Sequence, residues 1–429
     1  MPVNNNLTET YRKRRQKLVE QTGGGVILID SSGVSPDKLL FDKNLYYLTG
    51  VSDKSAKLLI VPDGIAVESL ETLSGPEMGM GRRMREILFV NERSEIEVFM
   101  DGPSAACEAL KQSTGVDRVY PLSKLNQHVQ TALMGTDTLW LNTPTAPELG
   151  KPLTPDLQLT NQIRERYYWV TLKNIALIIH QLRWIKDEYE IASLRQAFQI
   201  HTEVFEKVMR ALKPGENERL GKAIYDYELQ MCGDEVDNAM ANDLYDSSLI
   251  VGSGKNSAIP HYMANNQTIQ DGDLVLIDGG VSVNGYSSDI TRTFPANGKF
   301  TPRQRELYAI VLEAENAAIA TMKPGSTILE ANQAAYDVFE RYGVAQYGYG
   351  NNMHPVGLNI HDTHARIPND REQPFEPGVV LVIEPFLMLP DEGIGIRIED
   401  GVLITENGLE ILAGPAREID AVESLCKRG

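Results

Sequence analysis

Gly272-Asp273-Leu274-Val275-Leu276-Ile277-Asp278 and, 106 positions later, Gly378-Val379-Val380-Leu381-Val382-Ile383-Glu384 each lead an unbroken apolar run into a carboxylate. Short apolar runs of this length, opened by glycine, read as buried strands. A carboxylate at the end of such a strand is costly to desolvate unless a cation or several donors compensate it. Two of them at matching places in two similar segments invite one shared positive partner, and a metal is the economical choice.

The duplication extends around this pair. Leu212-Lys213-Pro214-Gly215 returns as Met322-Lys323-Pro324-Gly325, an offset of 110. Each copy ends one helix-like segment and precedes another that carries Ala-x-Tyr-Asp, at residues 223–226 and 334–337. Nearly equal offsets predict two helix-helix-strand halves related by pseudo-symmetry. Two copies make a duplicated domain, since a solenoid needs at least about three repeats.

Ahead of the duplication the pattern changes. Residues 8–21 read as a polar helix, and apolar runs at 25–29, 57–61, 86–90 and 138–141 read as strands, which together predict an α/β domain. Residues 152–161 are rich in Pro and Thr and carry little periodicity. A long helical stretch is expected from Asn161 through Arg183, and another from Asp187 to Leu212. The boundary is placed near residue 175, giving an N-terminal domain of residues 1–174 and a C-terminal domain of residues 175–429.

Composition excludes several classes. The chain has 429 residues, 42% apolar and 23% charged, which suits filled cores rather than disorder. With 41 Lys+Arg against 59 Asp+Glu the net charge of −18 opposes a nucleic-acid partner or an anionic membrane surface. Cys107, Cys232 and Cys426 are far apart and show no Cys-x-x-Cys spacing, so neither a disulfide framework nor a thiolate zinc site is expected. No apolar stretch reaches the roughly 20 residues of a membrane span. The basic run from Tyr11 to Lys17 lacks the apolar segment of a secretory signal, and its Arg12–Lys17 cluster reads as a solvated helix face. A reducing, cytoplasmic setting is expected.

Further carboxylates and histidines gather near the two strand ends. Asp289 lies in Ser287-Ser288-Asp289-Ile290-Thr291-Arg292, and Glu399 in Gly395-Ile396-Arg397-Ile398-Glu399-Asp400. Two facing hairpins would bring four carboxylates together. His354, His361 and His364 fall within eleven residues, and His261 follows Pro260. One imidazole with four carboxylates is a hard, oxygen-rich donor set that suits two Mn(II), Fe(II), Co(II) or Zn(II) ions better than magnesium. His128, His180 and His201 stand outside any motif and read as packing residues, and His364 as a rim residue. Gly252-Ser253-Gly254-Lys255 fails the Walker pattern, and neither Gly-x-Ser-x-Gly nor His-Glu-x-x-His occurs.

The full pattern resembles the M24 metallopeptidases, the pita-bread family of aminopeptidase P, prolidase, methionine aminopeptidase and creatinase. It runs Asp278, Asp289, His354-x-x-Gly-Leu-x-x-His361-Asp, Glu384-Pro385 and Arg397-x-Glu399. Ile250-Val251-Gly252-Ser253-Gly254 and Asp289-Ile290-Thr291-Arg292-Thr293-Phe294-Pro295 are most similar to the bacterial aminopeptidase P branch. The resemblance implies an α/β N-terminal domain of the creatinase/ribonuclease-H-like kind, serving oligomerisation and substrate gating. It implies an α+β pita-bread C-terminal domain with an internal pseudo-two-fold.

It further implies that Asp278, Asp289, His354, Glu384 and Glu399 hold two divalent ions, manganese first, with Asp289 and Glu399 bridging. Glu384 would also shuttle a proton. His261 and His361 would donate hydrogen bonds to substrate and to the developing gem-diolate, and Arg397 would hold the bridging carboxylate of Glu399. The implied substrates are small peptides with proline second, and the implied assembly is a homodimer or homotetramer.

Three alternatives share the fold: a prolidase, a peptide-binding pseudo-enzyme, and creatinase-like hydrolysis without metal. The last two should have relaxed the ligand set, and it is complete. Departures from the branch fall at Gly350, Ser247 and Met388, and Phe99 stands where a Trp reaches toward a neighbouring subunit. They leave the ligands whole and alter the residues around the substrate.

Overall fold

A computed structural model of the chain describes residues 5–31, 41–66, 83–103, 105–143, 150, 152–233, 236–240, 249–348, 353–362 and 370–427. Two compact units result, Met1–Leu182 and Arg183–Gly429.

The first unit runs α1 (Asn5–Thr22), β1 (Val26–Asp30), α2 (Lys43–Thr49), β2 (Lys57–Ala66), β3 (Arg83–Val90), α3 (Glu95–Asp101), α4 (Cys107–Thr114) and β4 (Arg118–Pro121). It continues with α5 (Leu125–Leu133), β5 (Thr138–Leu141), α6 (Pro155–Arg166), β6 (Thr171–Asn174) and α7 (Ala176–Trp184). Its six strands form one mixed sheet in the order β4-β3-β2-β1-β5-β6. The central strand β1 is buried along its whole length, antiparallel to β2 and parallel to β5, as expected of an α/β domain covered on both faces.

Two expectations fail here. The Pro/Thr-rich segment starts α6, with Thr154 extended at the N-cap and Pro155 at the first helical position, where its missing N–H costs nothing. The long helix expected from Asn161 to Arg183 is broken by β6, which pairs parallel with β5 from Thr138↔Thr171 to Leu141↔Asn174. Sheet pairing overrides the helical pattern there. The two units divide inside α7, between Leu182 and Arg183.

The Arg12–Lys17 cluster is not wholly solvated either. Arg14 and Arg15 are buried, and their guanidinium groups donate to carbonyls at the C-terminal ends of other helices. Arg14 reaches Tyr47 O at 2.9 Å, and Arg15 reaches Leu48 O at 2.8 Å and Thr114 O at 3.0 Å. Terminal carbonyls lack partners inside their own helix, and a multi-donor side chain satisfies them.

The second unit runs α8 (Glu188–Ala211), α9 (Arg219–Met231), β7 (Val236–Asn238), β8 (Leu249–Ser253), β9 (Leu274–Gly279), β10 (Val281–Val283), β11 (Tyr286–Ser287) and β12 (Ile290–Pro295). Then follow α10 (Pro302–Thr321), α11 (Ile328–Arg341), β13 (Met353–Pro355), β14 (Val380–Ile383), β15 (Phe386–Leu389), β16 (Ile394–Arg397), β17 (Asp400–Thr405), β18 (Gly408–Ile411) and α12 (Ile419–Leu425).

The duplication is visible in this order. Antiparallel β8-β9-β12 in the first half matches β13-β14-β17 in the second, and the hairpin β10-β11 matches β15-β16. The repeated Lys-Pro-Gly turns end α8 and α10. Gly215 and Gly325 both adopt positive φ, 92° and 91°, a region in which a side chain is strained. Their N–H groups donate to Ile269 O and Phe375 O, each at 2.9 Å. Helices α8, α10 and α11 each begin with a reciprocal capping box, at Asp187/Glu190, Thr301/Gln304 and Thr327/Glu330. Among the described residues no helix is long and apolar enough to cross a membrane.

Candidate metal centre

The paired halves deliver carboxylates to one place. In the first half Asp278 sits near the end of β9, facing Thr291 of β12 and Ile250 of β8 across the sheet, and Asp289 stands immediately before β12. In the second half His354 lies in the middle of β13 opposite Val382, and Glu384 follows the last residue of β14. Glu399 occupies the bend between β16 and β17, where its N–H donates to Thr291 O at 3.1 Å. That bond crosses from one half to the other.

Donor atoms of Asp289, His354 and Glu399, all buried, lie within 4.8 Å of one another. His354 Nε2 stands 3.6 Å from Asp289 Oδ2 and 3.8 Å from Glu384 Oε1. These separations exceed a hydrogen bond and match the spacing of neighbouring ligands on one cation, each about 2.1 Å from it. The other ring nitrogen of His354, Nδ1, is 3.2 Å from Pro355 O; with a carbonyl as acceptor it carries the proton, leaving the Nε2 lone pair toward the carboxylates.

Arg397 is the buried cation among them. Its Nη2 donates to Asp278 Oδ2, its Nε to Thr291 Oγ1 at 3.0 Å and its Nη1 to Pro260 O at 3.3 Å. Thr291 passes the interaction on, donating to Glu399 Oε2 at 2.7 Å. The expectation that Arg397 grips Glu399 is thereby modified. The guanidinium binds Asp278 directly and reaches Glu399 through a hydroxyl, because Thr291 occupies the space between them.

One guanidinium does not balance four carboxylates. Burial first, and then Glu399, Asp278 and Glu384, push the carboxyl of Asp289 well above its ordinary range, with Arg397 acting in the opposite sense. Burial, Glu384 and Asp278 do the same to Glu399, opposed by Arg397 and the Thr291 hydroxyl. Glu399 Oε1 is buried with no hydrogen-bond partner among the described residues. A buried carboxylate oxygen without a donor, in a crowd of like charges, is the electrostatic signature of a cation site. The donor set therefore fits divalent metal.

Two further histidines flank the cluster. The ring of His361, partly exposed, lies 4.1 Å from that of His354. His261 is exposed, and its imidazole is pushed below its ordinary value by partial desolvation and then by Arg397, with Asp278 opposing. Met388 packs into an apolar cluster with Ala239, Met240, Ile250, Leu276 and Ile360. Phe99 is 85% exposed on α3 of the first unit. Ser247, Gly350 and His364 lie outside the described residues.

Sequence reasoning passed over all three positions of the Thr291-Arg292-Thr293 run. Alternation in β12 puts Thr291 and Thr293 on one face. There Thr293 Oγ1 bonds the backbone of Arg397 twice, accepting from N and donating to O, each at 3.0 Å. Arg292 is buried and donates to Glu399 O at 2.6 Å, to Thr291 O at 2.9 Å and to the carboxylate of Asp400. Their partners across the halves lie more than 100 residues away, so the sequence carried no signal of these contacts.

Comparisons agree with this geometry. Residues 192–406 match the model of metallopeptidase family M24, and residues 11–140 match that of the aminopeptidase P N-terminal domain. The chain is 31% identical to the mitochondrial intermediate cleaving peptidase 55 of Arabidopsis thaliana, over 97% of this chain and 82% of that protein. It is 29% identical to the Xaa-Pro aminopeptidase of Escherichia coli over 97% of each. An Xaa-Pro dipeptidase of Pyrococcus furiosus is 37% identical over 63% of this chain and 75% of its own length. Among solved structures, aminopeptidase P from Escherichia coli with the inhibitor Pro-Leu superposes with a TM-score of 0.79 at 29% identity, covering 98% of both chains.

Proposed function

From the premise that this chain belongs to metallopeptidase family M24, we propose how it works as a metallo-aminopeptidase that releases the N-terminal residue from peptides with proline in second position. The observation that carries the proposal is the convergence of Asp289, His354 and Glu399 around one point, with Glu384 beside His354 and Asp278 held by Arg397. Likeness to aminopeptidases spans nearly the whole chain, whereas likeness to the dipeptidase spans under two thirds of it.

Asp278, Asp289, His354, Glu384 and Glu399 would hold two divalent ions. When bound, such ions would supply an acidified water near neutral pH and polarisation of the scissile carbonyl. Glu384, whose side chain keeps 23% exposure, is the ligand best placed to exchange with solvent. It takes a proton from the attacking water and hands it to the departing prolyl nitrogen. His261 and His361 donate to the substrate and to the oxyanion that develops on the carbonyl. Arg397 positions Asp278 directly and Glu399 through Thr291.

Four carboxylates with one imidazole favour manganese, with zinc, cobalt or iron as substitutes. Cysteines that form no disulfide among the described residues support a cytoplasmic setting. Exposed Ile96, Phe99 and Met100 on α3 support self-association through the N-terminal unit as a dimer or tetramer.

Hydrolysis of Arg-Pro-Pro and of Ala-Pro by metal-stripped protein, with and without Mn(II), tests the assignment. Manganese-dependent release of arginine from the tripeptide is expected. Cleavage of the dipeptide alone would transfer the chain to the prolidases, and binding of either peptide without cleavage would make it a pseudo-enzyme.

A further inference from the structure

Asp362, next to His361, is buried and belongs to none of the roles above. Its carboxylate pairs with the guanidinium of Arg183 and stands 3.7 Å from the ammonium of Lys186. Both cations are themselves buried. Arg183 also donates to the Asn359 side chain at 2.9 Å, so it holds the loop at two points. The loop is closed by its own backbone, through Asp362 N to Pro355 O at 2.9 Å and Gly357 N to Asn359 O at 3.0 Å. Gly357 lies so close to the Asp362 carboxylate that a Cβ would collide with it. On the other side of His361, Ile360 is anchored in the apolar cluster that contains Met388.

Both sequence neighbours of His361 are thus fixed, one by packing and one by charge, while His361 itself stays partly exposed beside His354. A buried carboxylate carrying two buried cations contributes little to stability compared with apolar residues of the same volume. Its effect is geometric: it sets where the loop, and the imidazole on it, can be. We propose that Asp362, clamped by Arg183 and Lys186, is a positioning residue that holds His361 in its substrate-facing place. The inference rests on the reading of His361 as a donor to substrate.

The test combines a double-mutant cycle with a ring spectrum. For Asp362→Asn, His361→Ala and the double variant, kcat and KM on Arg-Pro-Pro are measured, and histidine ring signals are recorded by NMR on zinc-loaded protein. Asp362→Asn is expected to lower kcat on the order of 10- to 100-fold with little change in KM, as a displaced catalytic group does. The ring signal missing from His361→Ala should move in Asp362→Asn, while that of His128 stays. The double variant should be no slower than His361→Ala alone.

Multiplied losses in the double variant, or an unmoved His361 signal, would overturn the clamp. If Asp362→Asn does not fold, Arg183→Lys and Lys186→Met, which keep the carboxylate, are judged by the same criteria. A wild type inactive on Xaa-Pro peptides would sink the functional assignment instead, and the ring signal then decides the clamp alone.

Discussion

Thr291 donates its hydroxyl to Oε2 of Glu399 at 2.7 Å, joining residues 108 apart in sequence and on opposite halves of the duplicated domain. The threonine hydroxyl oxygen in turn accepts from Nε of Arg397 at 3.0 Å. A single hydroxyl thereby orients a ligand carboxylate and tells it where the nearest positive charge is.

Removing that hydroxyl while keeping the shape should loosen the metal. Thr291→Val is expected to weaken binding of divalent ions about 10- to 100-fold, the usual cost of losing a partner behind a ligand. Thr291→Ser should restore most of it. Calorimetric titration of the metal-stripped protein reads both, and unchanged affinity in the valine variant would remove Thr291 from the site.

The crowded carboxylates make the metal-free protein sensitive to pH in an unusual direction. Asp289 and Glu399 have folded pKa values raised well above the ordinary range, so the folded state holds more protons than the unfolded chain between the ordinary value and the raised one. Their contribution to stability is therefore greatest below the ordinary carboxylate pKa and is lost as pH rises through the raised values. Metal binding needs the deprotonated carboxylates and strengthens over the same range. The gap in Tm between metal-loaded and metal-free protein should widen from pH 5 to pH 8. Thermal unfolding in matched buffers checks this, and a constant gap would contradict it.

Arg292 ties the two halves from the opposite face of β12. It pairs with Asp400 and donates to the carbonyls of Thr291, Glu399 and Pro415. Arg292→Met leaves Asp400 buried with Arg417, 3.4 Å away, as its one paired cation among the described residues. A loss of about 3 kcal/mol in urea denaturation is expected, as for other broken buried pairs.

How much of this was legible in advance depended on how local the signal was. The strand-end carboxylates, the Lys-Pro-Gly turns and the second pair of carboxylates repeat along the chain; Asp278 lies in β9, and Asp289, Glu384 and Glu399 stand directly beside the ends of β12, β14 and β17. The Thr291 relay and the Arg292 tie depend on groups more than 100 residues away, so neither alternation nor spacing discloses them. Burial of Arg14 and Arg15 was hidden for the same reason, since their acceptors belong to α2 and α4. Strand β6 was missed because its partner β5, rather than its own composition, makes it a strand.

Close packing beneath β16 gives a further prediction. Gly395 donates its N–H to Ser257 Oγ at 2.8 Å, and a Cβ at this position would run into the carbonyl of Ser257. That contact is backbone, which cannot swing aside, so Gly395→Ala must displace the strand that carries Arg397. Loss of cooperative unfolding, or a fall in Tm on the order of 10 °C, is expected by thermal melting, in line with a penalty of about 1–3 kcal/mol for overpacking. Gly393→Ala, two residues earlier and with only loose neighbours but a positive φ of 64°, should be milder.

Stepwise addition of Mn(II) to metal-stripped protein, following both bound metal and release of arginine from Arg-Pro-Pro, tests the dinuclear centre most directly. Turnover should climb until about two equivalents are bound, as expected of a two-metal site. Glu384→Gln, run alongside, should stay silent throughout. Full turnover in the presence of a chelator, or wild-type activity in Glu384→Gln, would contradict the assignment of these carboxylates to a hydrolytic metal centre.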